Sequence, residues 1–396
     1  MLKRITADDL RVGMYINDLS CGWLDHPFAL NKFLIKSEIE LKKIKVAGVI
    51  SIEIDTKKGL DVVVEKRKQS NLSLRQAVNA LSDKKPELNA VKAEFGAAKL
   101  AFNEAELYIS GMMTSAKMGQ HVELEEVNPV INKLCDSVLR NHNALLGLTR
   151  IRNMDQYTFE HSVSFSVLMM SFAKSMGESE RFIRQVGIGG LLHDIGKTMT
   201  PDHILNKAGK LTADEFLIMK DHVVQSRLIL EKTAGLSQVS MDVAAMHHEK
   251  YDGNGYPRGL KGDEISLAGQ MAAIVDVYDA LTADRCYHVG REPSEALKYL
   301  LNGRGQHFSP LLVQKFIQSV GIYPAGCLVL LNNHHLAIVI EVKENMLKPI
   351  VEIFLNTRNR SYVPNKLIDL SSQTDLKIKS VENFEKWNLK PDMLKW

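Results

Sequence analysis

The sequence predicts a multidomain protein whose centre is an all-α domain, with a small α+β domain before it and a small β-rich tail after it. Three observations support this class. The chain of 396 residues is longer than one hydrophobic core usually serves. Short alternating apolar runs near both ends are typical of strands, whereas the middle of the chain repeats apolar residues at helical spacing. We therefore expect an α+β module with a helical connector at 1–125, a helical domain at 126–322 and a β-rich tail at 323–396.

Composition excludes several classes of partner. Hydrophobic residues make up 45% of the chain and charged residues 24%, as in an ordinary globular protein. A formal net charge of +3 gives no case for a nucleic-acid duplex or an anionic membrane as partner. No apolar run is long enough to span a bilayer, and the amino terminus lacks an apolar signal core. The four cysteines are scattered without a CxxC pair, so we expect a reduced, cytoplasmic protein with neither a disulfide framework nor a cysteine zinc site.

The first 65 residues combine strand and turn signals. Residues 46–54 and 60–64 predict short strands, and residues 37–45 predict a short helix with Ser37 as its N-cap. No cluster of acids, histidines or glycines suited to chemistry occurs there, so a binding or regulatory role is expected. A polar linker then precedes an amphipathic connector, for which a dimerising coiled coil, and hence a homodimer, is the alternative. The apolar residues of this connector include Val91, Phe95, Leu100, Phe102 and Leu107.

Helical spacing dominates from residue 126 to residue 320. Thr212 and Glu215 form a capping-box pattern at the start of one of these helices. A glycine-rich loop at 251–265 is long for a compact helical domain, and loops of that length are usually functional. The predicted helices are 130–148, 157–175, 180–193, 212–230, 238–248, 267–282, 294–301 and 311–320. The predicted strands of the tail are 327–331, 336–342 and 350–355.

The run HDIGK at 193–197 lies at the end of an apolar helical stretch. His193 and Asp194 are adjacent, so both could reach one metal ion, and Lys197 brings a positive charge close to them. Gly196 is expected to act as a helix stop. Taken alone, the pair is more often a helix cap or a surface pair than a metal site.

Other residues of the helical domain strengthen the metal interpretation. Asp276 lies in AAIVDVYDAL, where a carboxylate would be buried and must pair with an arginine or coordinate a metal. His161, at the start of an apolar helix, could instead be a satisfied core histidine. His247 and His248 are neighbours that point about 100° apart on a helix, so they can serve different positions of one cavity. The metal-capable residues are His161, His193, Asp194, His222, His247, His248 and Asp276.

Five histidines and two aspartates are too many ligands for one ion. They suit two ions with an aspartate as bridge. The mixture of nitrogen and oxygen donors favours iron or manganese, while nickel and zinc remain compatible.

The order of these residues resembles the HD-GYP family, the cyclic-di-GMP phosphodiesterase branch of the HD superfamily of metal-dependent phosphohydrolases. The resemblance runs from about 128 to 320 and includes HDIGK, HHE at 247–249, GYP at 255–257 and DVYDALTADR at 276–285. It implies an all-α HD-type helical phosphohydrolase core. The segments DLRVGMY at 9–15 and WLDHPF at 23–28 resemble the uncharacterised domain that often precedes HD-GYP domains, which implies a regulatory module.

The resemblance also implies roles for individual residues. Asp194 bridges two metals, and water activated between them attacks the phosphodiester of a cyclic dinucleotide. Lys197 neutralises the phosphate, and Arg285 contacts the second phosphate of the substrate. The loop Gly255-Tyr256-Pro257 shapes the rim of the cleft and, in the family, is linked to contacts with diguanylate-cyclase-type partners. One metal is held by His161, His193, Asp194 and Asp276, and the second is completed by His222, His247 and His248.

Two departures from the family pattern qualify this expectation. Tyr157 stands where some members place a glutamate for a third metal, and Glu160 is expected to face elsewhere, so two metals are expected. The common RPYR/K pattern becomes RCYH at 285–288, which weakens a second basic contact. The expected reaction is hydrolysis of cyclic di-GMP to linear pGpG, with a second cleavage to GMP left open. The alternatives are the same chemistry on 3′,3′-cyclic GMP-AMP, or a non-catalytic cyclic-dinucleotide sensor or adaptor.

Overall fold

The computed structural model describes residues 2–5, 10–18, 32–37, 41, 52–60, 90–150, 157–207, 209–283 and 290–389. These residues belong to two compact units, Met1–Lys85 and Pro86–Trp396. The helical connector lies in the second unit. Among the described residues, no helix has the length and hydropathy needed to cross a membrane.

The first unit contains a four-stranded antiparallel sheet with the order β1-β4-β2-β3. Its core residues alternate along the strands, as expected for a sheet that buries one face: Met14, Ile16, Ile52 and Ile54 are fully buried. The predicted strand at 46–54 is confirmed from residue 52 onward. Residues 46–51 and 61–64, and most of the predicted helix at 37–45, lie outside the described residues. The strands are β1 (Leu2–Ile5), β2 (Tyr15–Asp18), β3 (Phe33–Leu34) and β4 (Ile52–Asp55).

The second unit is a helical domain followed by a sheet, which confirms the predicted fold class. One large apolar core joins the helices and extends to Ile338, Ile340 and Ile350 of the tail. The first six helices are α1 (Ala90–Lys117), α2 (Leu124–Leu148), α3 (Tyr157–Ser175), α4 (Glu180–Leu192), α5 (Asp202–Leu205) and α6 (Ala213–Lys220). The others are α7 (His222–Leu230), α8 (Gln238–Met246), α9 (Leu267–Thr282), α10 (Pro293–Asn302) and α11 (Pro310–Val320).

The structure corrects one helix prediction. The expected helix at 212–230 is two helices, because the chain breaks at Asp221, which ends α6 and precedes α7. The capping box at Thr212 is confirmed. α6 has no buried residue, so no packed apolar face holds it in line with α7.

The tail forms a five-stranded antiparallel sheet with the order β8-β7-β6-β5-β9. The three predicted strands are confirmed within one or two residues at each end. Two strands were not predicted, β8 at one edge and β9 at the other. The strands are β5 (Leu328–Leu331), β6 (His335–Glu341), β7 (Ile350–Asn356), β8 (Ser361–Asp369) and β9 (Ile378–Glu382).

Candidate metal centre

The HDIGK run forms the end of α4 and a 3₁₀ turn at Ile195–Met199. His193 is the C-cap of α4, so the helix ends before Gly196. Gly196 does not act as the expected helix stop, because α4 already ends at Leu192 and the φ of Gly196 is not positive. Glycine is required there for a different reason: a Cβ would lie 2.0 Å from the carbonyl oxygen of His222 and 2.3 Å from the amide nitrogen of Ser226. The close approach of the turn to α7 brings His193 and His222 together.

Three histidines are oriented by one recurring hydrogen bond. The Nδ1 atoms of His193, His222 and His247 lie 2.7, 2.6 and 2.9 Å from the carbonyl oxygens of the residues three positions earlier. A carbonyl can only accept, so each Nδ1 carries the proton and donates it. Each Nε2 is then left with a lone pair, which is the form of imidazole that binds a metal.

His161 is oriented by a carboxylate. Its Nδ1 lies 2.6 Å from Oδ2 of Asp279, and Asp279 is fully buried on α9. Its Nε2 lies 3.6 Å from Oδ2 of Asp194 and 3.7 Å from Oδ1 of Asp276. A carboxylate on the far nitrogen of a metal-binding histidine fixes its tautomer and raises its basicity.

Sequence reasoning missed Asp279. The argument that a carboxylate in AAIVDVYDAL must be paired or bound to metal applies to it as much as to Asp276. Because α9 places residues three apart on the same side, the two acids face His161 together.

Asp194 lies at the centre of the cluster. Its Oδ1 is 3.3 Å from Nε2 of His222, and its Oδ2 is 3.3 Å from Nε2 of His193. The Lys197 ammonium contacts Oδ2. Asp194 therefore touches histidines of both predicted metal-ligand sets, as Asp276 also does through His161 and His248.

The structure brings all seven sequence-predicted ligands into one place. His248 Nδ1 lies 3.5 Å from Oδ2 of Asp276, so the described residues place two histidines, and no arginine, against this acid. The donor atoms of each of three groups lie within 4.8 Å of one another. The groups are His161 with His193 and Asp276, His193 with Asp194 and His247, and His222 with His247 and His248.

Burial and charge set the protonation of these groups. Burial lowers the pKa of His222 to about 4 and also lowers the pKa values of His247 and His248. Burial opposes ionisation of Asp194, but the charges of His193 and Lys197 outweigh it and hold the pKa of this carboxyl well below its usual range. Burial likewise opposes protonation of His193, yet the charge of Asp194 raises its pKa. Three histidines of the cluster, His222, His247 and His248, thus favour the neutral imidazole beside an ionised carboxylate, which is the combination that divalent cations require.

Two buried atoms test whether a metal fits. Nε2 of His193 and Oδ1 of Asp194 have no hydrogen-bond partner among the residues described. Buried polar atoms without partners are rare and destabilising. Both atoms point to the centre of the cluster and are good ligands for a divalent ion, so the donor set fits a metal.

The rim of the centre is built by the loop at 251–265. The fully buried Glu249 holds it by accepting backbone N–H groups of Arg258 at 2.8 Å and Leu260 at 3.0 Å. Gly255 is required for close packing, because a Cβ would lie 2.2 Å from the Lys250 nitrogen. The loop places the Tyr256 ring 4.8 Å from the His248 ring. The sequence motif contained Glu249 but did not reveal this role.

Other site predictions cannot be placed fully. Arg285 lies in the segment 284–289, outside the described residues, and the side chain of Tyr157 is also not described. Glu160 is buried. It belongs to none of the ligand groups found in the part of the chain that the structure describes.

Comparison with known proteins identifies the family of this chain. The family described as "HD domain" matches residues 136–312, and "Domain of unknown function (DUF3391)" matches residues 2–127. A cyclic di-GMP phosphodiesterase of Pseudomonas aeruginosa is 37% identical over 98% of this chain and 94% of its own length. A probable cyclic di-GMP phosphodiesterase of Vibrio cholerae is 47% identical over 32% of this chain and 30% of its own. A 3′3′-cGAMP-specific phosphodiesterase of the same organism is 44% identical over 32% of this chain and 24% of its own.

The helical fold and the histidine–aspartate cluster define a divalent-metal-binding protein of the HD phosphohydrolase class. Within that class, the chain belongs to the HD-GYP family, with the amino-terminal domain of unknown function preceding the HD domain.

Proposed function

We propose that this protein is a metal-dependent phosphodiesterase that hydrolyses cyclic di-GMP to linear pGpG. The observation that carries the proposal is the buried cluster around Asp194, in which seven donors converge. A relative that is 37% identical along nearly its whole length carries the name of this activity, which supports the choice of substrate.

The cluster would suit two ions, and Asp194 would be available to both. His161, His193 and Asp276 would complete one site, and His222, His247 and His248 the other. Divalent cations bound there would lower the pKa of a water molecule and polarise the phosphoryl oxygens. The nitrogen and oxygen donors favour iron or manganese.

The chain's own residues keep these ligands in the binding form. The carbonyl of Gly190 holds the proton on Nδ1 of His193, and Asp279 does the same for His161. Each residue is locked before any ion arrives, so little reorganisation is required when the site is filled.

Lys197 is the proposed phosphate contact. Its ammonium touches Asp194, and 27% of its side chain is exposed, so it lies at the boundary between the centre and solvent. A fixed cation there stabilises charge that builds on the phosphoryl oxygens. Arg285 is proposed for the second phosphate.

The same centre supports a second substrate. A relative named as a 3′3′-cGAMP-specific phosphodiesterase is 44% identical over 128 residues, so cyclic GMP-AMP is the alternative. Both substrates present the same phosphodiester to the metals. Residues that contact the bases would therefore have to distinguish cyclic di-GMP from cyclic GMP-AMP.

Two partner roles are proposed outside the centre. Residues 1–125 would act as a regulatory module for the catalytic domain at 126–322. The loop Gly255-Tyr256-Pro257 at the rim would receive a diguanylate-cyclase-type protein.

The proposal is tested with anaerobically purified protein loaded with Fe(II) or Mn(II). Chromatography of the products should show pGpG from cyclic di-GMP, and parallel reactions with cyclic GMP-AMP rank the two substrates. Asp194→Ala should abolish hydrolysis while circular dichroism shows near-normal helical content. Turnover by metal-loaded Asp194→Ala protein would refute the mechanism, and binding without turnover in the wild type would support the sensor alternative.

A further inference from the structure

Two leucines lie on the side of α1 that faces away from the core. Leu100 and Leu107 are 67% and 76% exposed, whereas Phe102, Ala105 and Ile109 on the opposite side are buried in the domain core. One face of α1 therefore packs against the domain core, and the opposite face is exposed. We call this second face the outer face of α1, and its residues are Gly96, Leu100, Asn103, Glu104, Leu107 and Gly111.

Both glycines of the outer face are unexplained by the chain's own packing. A Cβ at Gly96 or Gly111 would meet no atom of the described chain within 4 Å. Glycine inside a helix is less stable than alanine, because its unfolded backbone is more flexible. Two such positions on one exposed face leave room for another backbone, as small residues do at close helix pairs.

The outer face is self-complementary. Its glycines and leucines are placed symmetrically about the midpoint between Asn103 and Glu104: the two glycines are equidistant from it, and so are the two leucines. A two-fold axis through that midpoint would lay Leu100 of one chain against Leu107 of another. A homodimer forms by such isologous contacts.

We propose that α1 is the interface of a homodimer in which two copies of this helix pack antiparallel through their outer faces. The helix has 28 residues and is about 42 Å long at 1.5 Å per residue, which is enough for an extended seam.

The direction of packing follows from charge. A parallel pair would place Glu104 against Glu104 of the partner, whereas the antiparallel pair places it against Asn103, whose amide can donate to a carboxylate. Glu104 is also balanced within its own chain, since Nζ of Lys133 lies 2.5 Å from its Oε2. The antiparallel arrangement therefore leaves no like charges facing at the midpoint.

The interface is connected to the metal centre through packing. α1 contacts the turn Ile195–Met199, and Lys117 at its end pairs with Asp202 just beyond that turn. Dimer contacts on one side of α1 would thus support the element that presents Asp194 and Lys197.

Size-exclusion chromatography with light scattering tests the interface on the full chain. The wild type should have twice the 44.4 kDa chain mass. Leu100→Glu combined with Leu107→Glu should raise the dimer dissociation constant at least about 100-fold, because buried leucines become charged. Leu311→Glu, at a helical leucine that is 63% exposed elsewhere, should leave the dimer intact. A monomeric wild type, or a double variant that still dimerises, overturns the proposal.

Glycine variants distinguish the interface from a structural role. Gly111→Ala should raise the melting temperature of the monomer, since alanine favours helix, and yet weaken dimerisation by excluding the partner backbone. Equal or tighter dimerisation overturns the assignment of the glycines.

Cysteine cross-linking tests whether the two α1 helices of the dimer run antiparallel. Thr114→Cys should not cross-link to itself in the antiparallel pair, because Thr114 is far from the midpoint, whereas Asn103→Cys should. Self-cross-linking of Thr114→Cys overturns the antiparallel arrangement.

Discussion

Replacing Asp279 with asparagine should weaken metal binding without disturbing the fold. The carboxylate accepts the Nδ1 proton of His161 at 2.6 Å and is fully buried. Asparagine has the same shape and can still accept through its amide oxygen, but it lacks the negative charge that makes the imidazole a stronger donor. Loss of such a partner typically weakens metal affinity about 10- to 100-fold, which corresponds to about 1.4 to 2.8 kcal/mol.

The assay is metal content after dialysis against a series of chelator concentrations, with hydrolysis measured at saturating metal. The Asp279→Asn protein should lose metal at lower chelator concentration and recover much of its activity when metal is in excess. Asp279→Ala should lose more, because the ring of His161 is then free to turn.

A matched control separates metal binding from general loss of stability. Glu352 is also a buried acid, 5% exposed, and its Oε1 lies 2.5 Å from Nζ of Lys92. Glu352→Gln should lower the free energy of unfolding and leave metal affinity unchanged. Equal metal affinity in Asp279→Asn and wild-type protein would refute the assigned role of this carboxylate.

Three further changes test other parts of the structure. Gly196→Ala should destabilise the protein by about 1–3 kcal/mol or more, because the new Cβ overlaps the His222 carbonyl. The control in urea unfolding is Gly147→Ala, whose Cβ would meet no atom of the described chain within 4 Å. A small difference in stability between the two variants would count against the close approach at Gly196. Glu249→Gln should speed hydrogen exchange at the amides of Arg258 and Leu260, which lose a charged acceptor, whereas Glu264→Gln should leave those two amides unchanged. Burial lowers the pKa of His142 from 6.5 to about 4. Between these pH values the unfolded chain therefore binds a proton that the folded chain does not. The free energy of unfolding should fall by up to about 3 kcal/mol as the pH falls from 6.5 to 4. His142→Gln should flatten that part of the curve of unfolding free energy against pH, and an unchanged slope would contradict the assignment.

The sequence was sufficient for the positions of most of the long helices but not for their exposed faces. α1 carries apolar residues around much of its circumference, so periodicity alone does not tell whether Leu100 or Phe102 is buried. The break at Asp221 was hidden because residues 212–230 keep helical spacing across it. The break matters for the site, since it lets Nδ1 of His222 donate to the carbonyl of Met219 in the last turn of α6.

The edge strand β8 escaped prediction for a related reason. Its residues are mostly polar and partly exposed, and Pro364 lies within it, as proline is tolerated at sheet edges.

The seven donors were identifiable because histidine and buried aspartate are rare in apolar helices. Asp279 and Glu249 were harder to identify because each acts through another group. Asp279 accepts from His161, which is distant in sequence, and Glu249 accepts from backbone N–H groups.

The recurring Nδ1 hydrogen bond explains why three of the histidine ligands lie next to helix ends. The last four carbonyl groups of a helix lack intrahelical partners. His193, His222 and His247 each follow the end of a helix and donate to one of these carbonyls, in α4, α6 and α8. The same bond caps the helix and turns Nε2 towards the neighbouring helix end. Helix carboxyl ends also carry partial negative charge, so three of them meeting around Asp194 favour a cation before any ligand bond forms.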